Sequence, residues 1–155
     1  MLKYVNTDIV FQEIPDETTL AINLANCPCR CPGCHSAYLW KDEGTPLTPE
    51  ALDAFVSEYG SSITCISLMG GDAEPASVNT VARYMKERHP QYKVGWYTGR
   101  VRIDSAIDKS LFDYIKVGPY IRHLGALKSP TTNQRMYKRL PDGQFADITS
   151  RFWRK

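Results

Sequence analysis

Strand-like and helix-like segments alternate along most of this chain, and this alternation restricts its possible folds more than any other feature. Apolar residues stand at every second position of residues 19–24 and at intervals of three and four in residues 75–88, which are the periods of a strand and of a helix. The predicted strands are residues 19–24, 63–69, 92–96 and 112–117, and the predicted helices are residues 48–59, 75–88 and a short segment around 104–109. This order is typical of a parallel sheet covered by helices. We therefore expect an α/β fold with a mostly parallel sheet, whose pattern weakens from Lys128 onward.

Length and composition predict a single domain, residues 1–155, in the cytoplasm. A chain of 155 residues, 43% of them hydrophobic, is long enough to bury one core. The net charge of +2 gives no argument for a nucleic-acid partner, and no apolar run approaches the ~18 residues that span a membrane. The amino-terminal segment is too polar for a signal peptide. Because cytoplasmic thiols stay reduced, clustered cysteines then indicate metal or redox chemistry rather than disulfides.

Four of the five cysteines lie within eight residues, in the segment NCPCRCPGCH. Cys27, Cys31 and Cys34 have the spacing C-x3-C-x2-C, and Cys29 stands between the first two. Thiolates are the preferred ligands of zinc and of iron–sulfur clusters, but a structural zinc site normally uses two separated pairs of ligands. Here there is no second pair, because Cys65 is alone in a predicted strand. From the residues alone, Cys29 could also replace Cys27, or all four thiols could bind.

Three informative segments follow directly after predicted strands. The cysteine segment follows the first strand, Gly70-Gly71-Asp72 follows the second, and Thr98-Gly99 follows the third. Parallel strands deliver their carboxyl ends to one edge of a sheet, where ligands gather. The sequence therefore predicts an active site at which these three segments meet.

The cysteine spacing and the glycine–glycine–acid motif resemble those of radical S-adenosylmethionine enzymes. Across nearly its whole length the chain is similar to one family of them, the activating proteins of anaerobic ribonucleotide reductases. The segments that carry this resemblance are, in order, FQEIPDETTLAINLANCPCRCPGCHSAYLW, SLMGGDAEP, WYTG, SPTTNQRMYK and DITSRFW. The resemblance implies a partial (β/α) barrel of the radical S-adenosylmethionine type.

The resemblance also implies a cofactor set and a reaction. A [4Fe–4S] cluster would be held by Cys27, Cys31 and Cys34, leaving one iron open to S-adenosylmethionine. The implied contacts of that cofactor are Gly33, Cys34, His35, Gly70, Gly71, Asp72 and Thr98. One electron from a low-potential donor such as a flavodoxin or ferredoxin would cleave S-adenosylmethionine to methionine and a 5′-deoxyadenosyl radical. That radical would abstract hydrogen from a glycine of the large reductase subunit, so that no catalytic side chain is needed.

Two alternatives stay open at this point. The chain could activate a different glycyl radical enzyme by the same chemistry. It could instead be an electron-transfer or metal-binding module that uses all four cysteines of the segment, in which case no iron would be open to S-adenosylmethionine. The basic residues of the carboxyl-terminal third are either a solvated face or a docking surface for the reductase.

Overall fold

The structure, a computed structural model, describes residues 1–26 and 43–153 and is organised around one eight-stranded sheet. The strands are β1 (Lys3–Val10), β2 (Thr19–Leu24), β3 (Thr45–Pro46), β4 (Cys65–Met69), β5 (Lys93–Tyr97), β6 (Tyr114–Val117), β7 (Arg135–Arg139) and β8 (Phe145–Asp147). The helices are α1 (Pro49–Tyr59) and α2 (Pro75–Arg88), with short 3₁₀ helices at Gly60–Ser62, Lys109–Leu111 and Thr149–Trp153. The spatial order of the strands is β3-β1-β2-β4-β5-β6-β7-β8.

The four central strands, β2, β4, β5 and β6, are parallel neighbours. Antiparallel strands flank them on both sides, β1 and β3 on one and β7 and β8 on the other. The sheet is therefore mixed rather than mostly parallel, because only the central strands are joined by long crossover connections. The partial barrel implied by the resemblance stays a prediction.

Both long helices form where the sequence predicts them. Thr48 accepts a hydrogen bond from the N–H of Ala51 at 3.1 Å, and Pro49 occupies the first helical turn of α1, so this helix is capped as expected. Helix α2 buries the residues predicted for its inner face, which are Val78, Val81, Ala82 and Met85. The two helices pack on one face of the sheet, where they form the larger core with alternate residues of β2, β4 and β5.

The opposite face of the sheet is covered by loops, beginning with residues 11–17. Ile14, 1% exposed, inserts its side chain over Gly95, where an added Cβ would lie 2.5 Å from Ile14 Cδ1 and 3.0 Å from Ser67 Oγ. The hydroxyl of Tyr97 donates to the main-chain oxygen of Glu13 and ties the same loop to β5. The loop can pack this closely only because position 95 has no side chain.

We expect Gly95→Ala to lower the free energy of unfolding by about 1–3 kcal/mol, because the new methyl group overpacks this contact. The loss should shrink in an Ile14→Ala background, since the clashing Cδ1 is then absent. A double-mutant cycle measured by denaturant unfolding tests this coupling. Strictly additive losses would show that Ile14 does not restrict position 95.

Other features of the structure also differ from the sequence-based expectation. Strand β1 was not predicted, and neither was the hairpin of β7 and β8. Residues 104–109 do not form the predicted helix, because the Asp104 and Asp108 side chains instead accept hydrogen bonds from the N–H groups two residues ahead. Within the described ranges, no helix has both the length and the apolar character needed to cross a membrane.

Candidate cofactor site at the carboxyl edge of the sheet

The carboxyl ends of the central parallel strands meet along one side of the sheet, here called the carboxyl edge. Asn23, Met69 and Tyr97 are register partners on β2, β4 and β5, so the segments that follow these strands start side by side. The N–H of Gly70 donates to the oxygen of Tyr97 at 2.9 Å. The predicted convergence of these strand ends is confirmed for Gly70–Asp72 and Thr98–Gly99.

Gly70 and Gly71 form a turn that only glycine adopts easily. Their φ angles are +109° and +86°, in the region that side chains with a Cβ avoid. A Cβ on Gly71 would also lie 2.7 Å from Val78 Cγ2 in the core. The oxygen of Gly70 accepts a hydrogen bond from the Trp96 indole N–H at 2.7 Å. The motif therefore has a structural role, because it lets the chain turn tightly against α2; its cofactor role stays a prediction.

Asp72 and Thr98, both predicted cofactor contacts, are hydrogen-bonded to each other. Asp72 is 3% exposed, and its Oδ1 accepts from the Thr98 hydroxyl while its Oδ2 accepts from the Gly99 N–H at 3.0 Å. The Thr98 Oγ1 in turn accepts from the N–H of Arg100 at 3.1 Å. The carboxylate is thus held in one orientation between the ends of β4 and β5, which is the pre-organisation expected of a binding group.

A buried lysine that was not among the predicted site residues lies at the same edge. Lys116 is 8% exposed, and its Nζ donates to the oxygens of Thr98 and Gly118 at 3.1 Å each. The same ammonium is 5.2 Å from the centre of the Tyr97 ring, a cation–π distance. Lysine is rarely buried, so its position inside an apolar strand was the signal that could have identified it.

The segment around Asn133, part of the family resemblance, packs against the end of β6. Gly118 turns at φ +106°, and its oxygen also accepts from Gln134 Nε2 at 3.4 Å. The Asn133 Nδ2 donates to the oxygen of Pro119 at 3.1 Å. Hydrogen bonds therefore connect Asp72, Thr98, Lys116, Gly118 and Gln134 in one continuous polar network along the carboxyl edge.

The predicted site residues Cys27, Cys31, Cys34, Gly33 and His35 lie outside the described residues. The described chain reaches this segment from the end of β2, where Asn26 has a φ of +62°. In residues 1–26 and 43–153 no group of three or more histidines, cysteines or acids could hold a metal ion. The cysteine segment, which begins directly after Asn26, contains thiols of the kind that hold iron–sulfur clusters.

Cys65 is not placed to complete that donor set. It pairs in register with Thr19, the first residue of β2, and is fully buried. At ~3.3 Å per residue it lies about 16 Å along the strands from the end of β2. Burial also raises the pKa of its thiol far above the ordinary value, so the thiolate form is disfavoured. Cys65 therefore acts as a small buried hydrophobic residue of the core.

Comparison with known protein families indicates which kind of metal group the chain binds. Residues 18–135 match the family described as the 4Fe-4S single cluster domain. The chain belongs to this family. Its matched range includes the cysteine segment and the polar network from Asp72 to Gln134. No curated protein and no solved structure matched the chain. Family membership thus indicates an iron–sulfur domain that binds a [4Fe–4S] cluster, in agreement with the cluster predicted from the cysteines.

Proposed function

We propose that this protein is a radical S-adenosylmethionine enzyme that generates a glycyl radical in an anaerobic ribonucleotide reductase. The observation that carries the proposal is the oriented Asp72–Thr98 pair on the edge to which the cysteine segment is attached. An electron-transfer module that uses four cysteines does not require a second, pre-organised polar site. The family resemblance to reductase activators supports the choice of partner.

The residues of the carboxyl edge suit the charges of S-adenosylmethionine. Its methionyl part carries an ammonium and a carboxylate, and the edge presents a buried carboxylate on Asp72 and a buried ammonium on Lys116. Thr98 contacts both, through its hydroxyl and its main-chain oxygen. Charge-assisted hydrogen bonds are the strong ones in a shielded site. We therefore assign Asp72 to the ammonium end and Lys116 to the carboxylate end.

The cluster would be held by Cys27, Cys31 and Cys34, which would leave one iron open to S-adenosylmethionine. When bound, the cluster supplies the low-potential electron for reductive cleavage of S-adenosylmethionine. The protein supplies position and shielding, since the edge groups named above are buried and already oriented. A low-potential flavodoxin or ferredoxin is the proposed electron donor, and the large reductase subunit is the proposed protein substrate.

Anaerobic reconstitution with iron and sulfide, followed by reduction in the presence of S-adenosylmethionine, tests this function. We expect 5′-deoxyadenosine and methionine in equal amounts. With the reductase present, we expect a glycine-centred doublet in electron paramagnetic resonance. A fully reconstituted, reduced protein that releases neither product would contradict the reaction class. Product release without the doublet would instead contradict the assigned partner.

A further inference from the structure

Two loops border the carboxyl edge, residues 99–105 after β5 and residues 119–126 after β6, here called the rim loops. They start side by side, because the N–H of Gly118 donates to the oxygen of Arg100 at 2.8 Å. Each loop begins directly after a residue of the polar network that contains Asp72 and Lys116, namely Thr98 for the first loop and Gly118 for the second. Any macromolecule that approaches the carboxyl edge from this side meets the rim loops first.

The rim loops carry cations that have no acidic partner among the described residues. Arg100, Arg102 and Arg122 are all exposed. Arg100 leans over the site and donates to the main-chain oxygen of Asp72 at 3.4 Å, whereas no acid within the described ranges pairs with Arg102 or Arg122. The one acidic residue of the two loops is Asp104, whose carboxylate accepts from the N–H of Ala106.

An exposed apolar residue stands among these cations. Val101 is 72% exposed, the largest exposed fraction among the large apolar side chains of the described ranges. Val101 stands between Arg100 and Arg102 in the sequence, and arginine is enriched in protein–protein interfaces whereas lysine is depleted. The rim loops therefore combine a positive field with a small apolar contact.

In the described part of the basic segment from Lys128 onward, several cations already have partners. Arg139 pairs with the buried Asp113 at 3.1 Å, and Arg151 pairs with Asp16 at 2.6 Å. Lys138 lies over the ring of Tyr114 at 5.9 Å. These contacts occupy several cations of the described segment from Lys128 onward, whereas Arg102 and Arg122 of the rim loops pair with no acid of the described ranges.

We infer that the rim loops are the docking surface for an acidic segment of the protein substrate. The inference rests on the proposed function, which requires a protein glycine to reach the carboxyl edge. Opposite charges across such a rim steer the encounter and fix orientation. Arg102 and Arg122 supply the charge, and Val101 supplies the apolar contact beside them.

The test compares two double variants with the same change of net charge. The rim variant, Arg102→Glu with Arg122→Glu, reverses the charge of two rim-loop residues. The control variant, Arg83→Glu with Lys109→Glu, reverses the charge of two exposed residues elsewhere. Binding to the large reductase subunit is measured at low and high salt. We expect the rim variant to raise Kd at least about tenfold at low salt, with a smaller difference at high salt because screening weakens exposed charges. The control variant should bind like the wild type.

Further measurements separate this inference from the proposed function. When the protein is reduced chemically without the reductase, the rim variant and the control variant should both give wild-type amounts of 5′-deoxyadenosine. None of the four substituted residues makes a described contact with the polar network of the carboxyl edge. Thermal unfolding and the milder Arg102→Gln with Arg122→Gln variant exclude a folding defect. Unchanged reductase binding, an equal loss in the control, or a defect confined to electron transfer from flavodoxin would each overturn the docking assignment. Absence of cleavage in the wild type would contradict the proposed function alone, because reductase binding is read independently.

Discussion

Alanine at Cys27, Cys31 or Cys34 should abolish the [4Fe–4S] cluster and all cleavage of S-adenosylmethionine, whereas Cys29→Ala should retain both. A cluster held by three thiolates cannot spare one, while a thiol outside the ligand set is dispensable. Cys27, Cys31 and Cys34 are chosen as ligands because they have the C-x3-C-x2-C spacing of the enzymes that the chain resembles. Iron and sulfide content, the spectrum of the reduced cluster and the yield of 5′-deoxyadenosine are compared across the four variants.

Cys65→Ala is the matched control for this series, because Cys65 is buried at the amino end of β4 and away from the carboxyl edge. It should keep the full cluster with at most a modest loss of stability. If Cys29→Ala lost the cluster and Cys27→Ala kept it, Cys29 would be the ligand and Cys27 the spare thiol. Loss in all four variants of the segment would favour the four-cysteine module.

Asp72→Ala should raise the Kd for S-adenosylmethionine about ten- to a hundredfold while leaving the cluster in place. A charge-assisted hydrogen bond in a shielded site contributes about 1.5–3 kcal/mol, which corresponds to that change in Kd. The substitution also leaves the Thr98 hydroxyl and the Gly99 N–H without their acceptor. Thermal stability should therefore fall as well, and equilibrium binding to the reconstituted protein measures the affinity separately.

Two further variants distinguish a cofactor contact from a structural one. Asp72→Asn keeps the shape and removes the charge, so it should lose much of the affinity with less loss of stability. Asp113 is another buried carboxylate, held by Lys86 at 2.8 Å and by Arg139, at the amino end of β6. Asp113→Asn should lower stability without changing the affinity for S-adenosylmethionine. If the wild type and Asp72→Asn bound S-adenosylmethionine with equal affinity, the charge of Asp72 would have no role in binding the cofactor.

The sequence predicted the interior of the sheet and missed its borders, for a physical reason. β2 is buried on both sides and its apolar period is clear, whereas β1 is half-exposed on each face and shows no apolar stripe. The hairpin of β7 and β8 has Met136 as its one fully buried residue. Its Asp142-Gly143 turn, with Gly143 at φ +88°, was the available signal.

The candidate site was predictable where position in the sequence determines position in space. Asp72 and Thr98 each follow a parallel strand, so their meeting at one edge follows from strand order alone. Lys116 does not follow from strand order. Its position inside an apolar strand was a signal in the sequence, and the packing of Tyr97 and of loop 11–17 on that face of the sheet shows that the ammonium is buried.

The spectrum of the reduced cluster with and without S-adenosylmethionine tests the central claim most directly. In the proposed function, an iron that lacks a protein ligand binds the cofactor, so the electron paramagnetic resonance signal of the cluster should change shape and g-values when S-adenosylmethionine is added. At a non-saturating concentration of the cofactor, the shift should be lost in Asp72→Ala, which we expect to keep its cluster. A reduced [4Fe–4S] signal that stays identical at saturating S-adenosylmethionine would mean that no iron is open, and would contradict the proposed function.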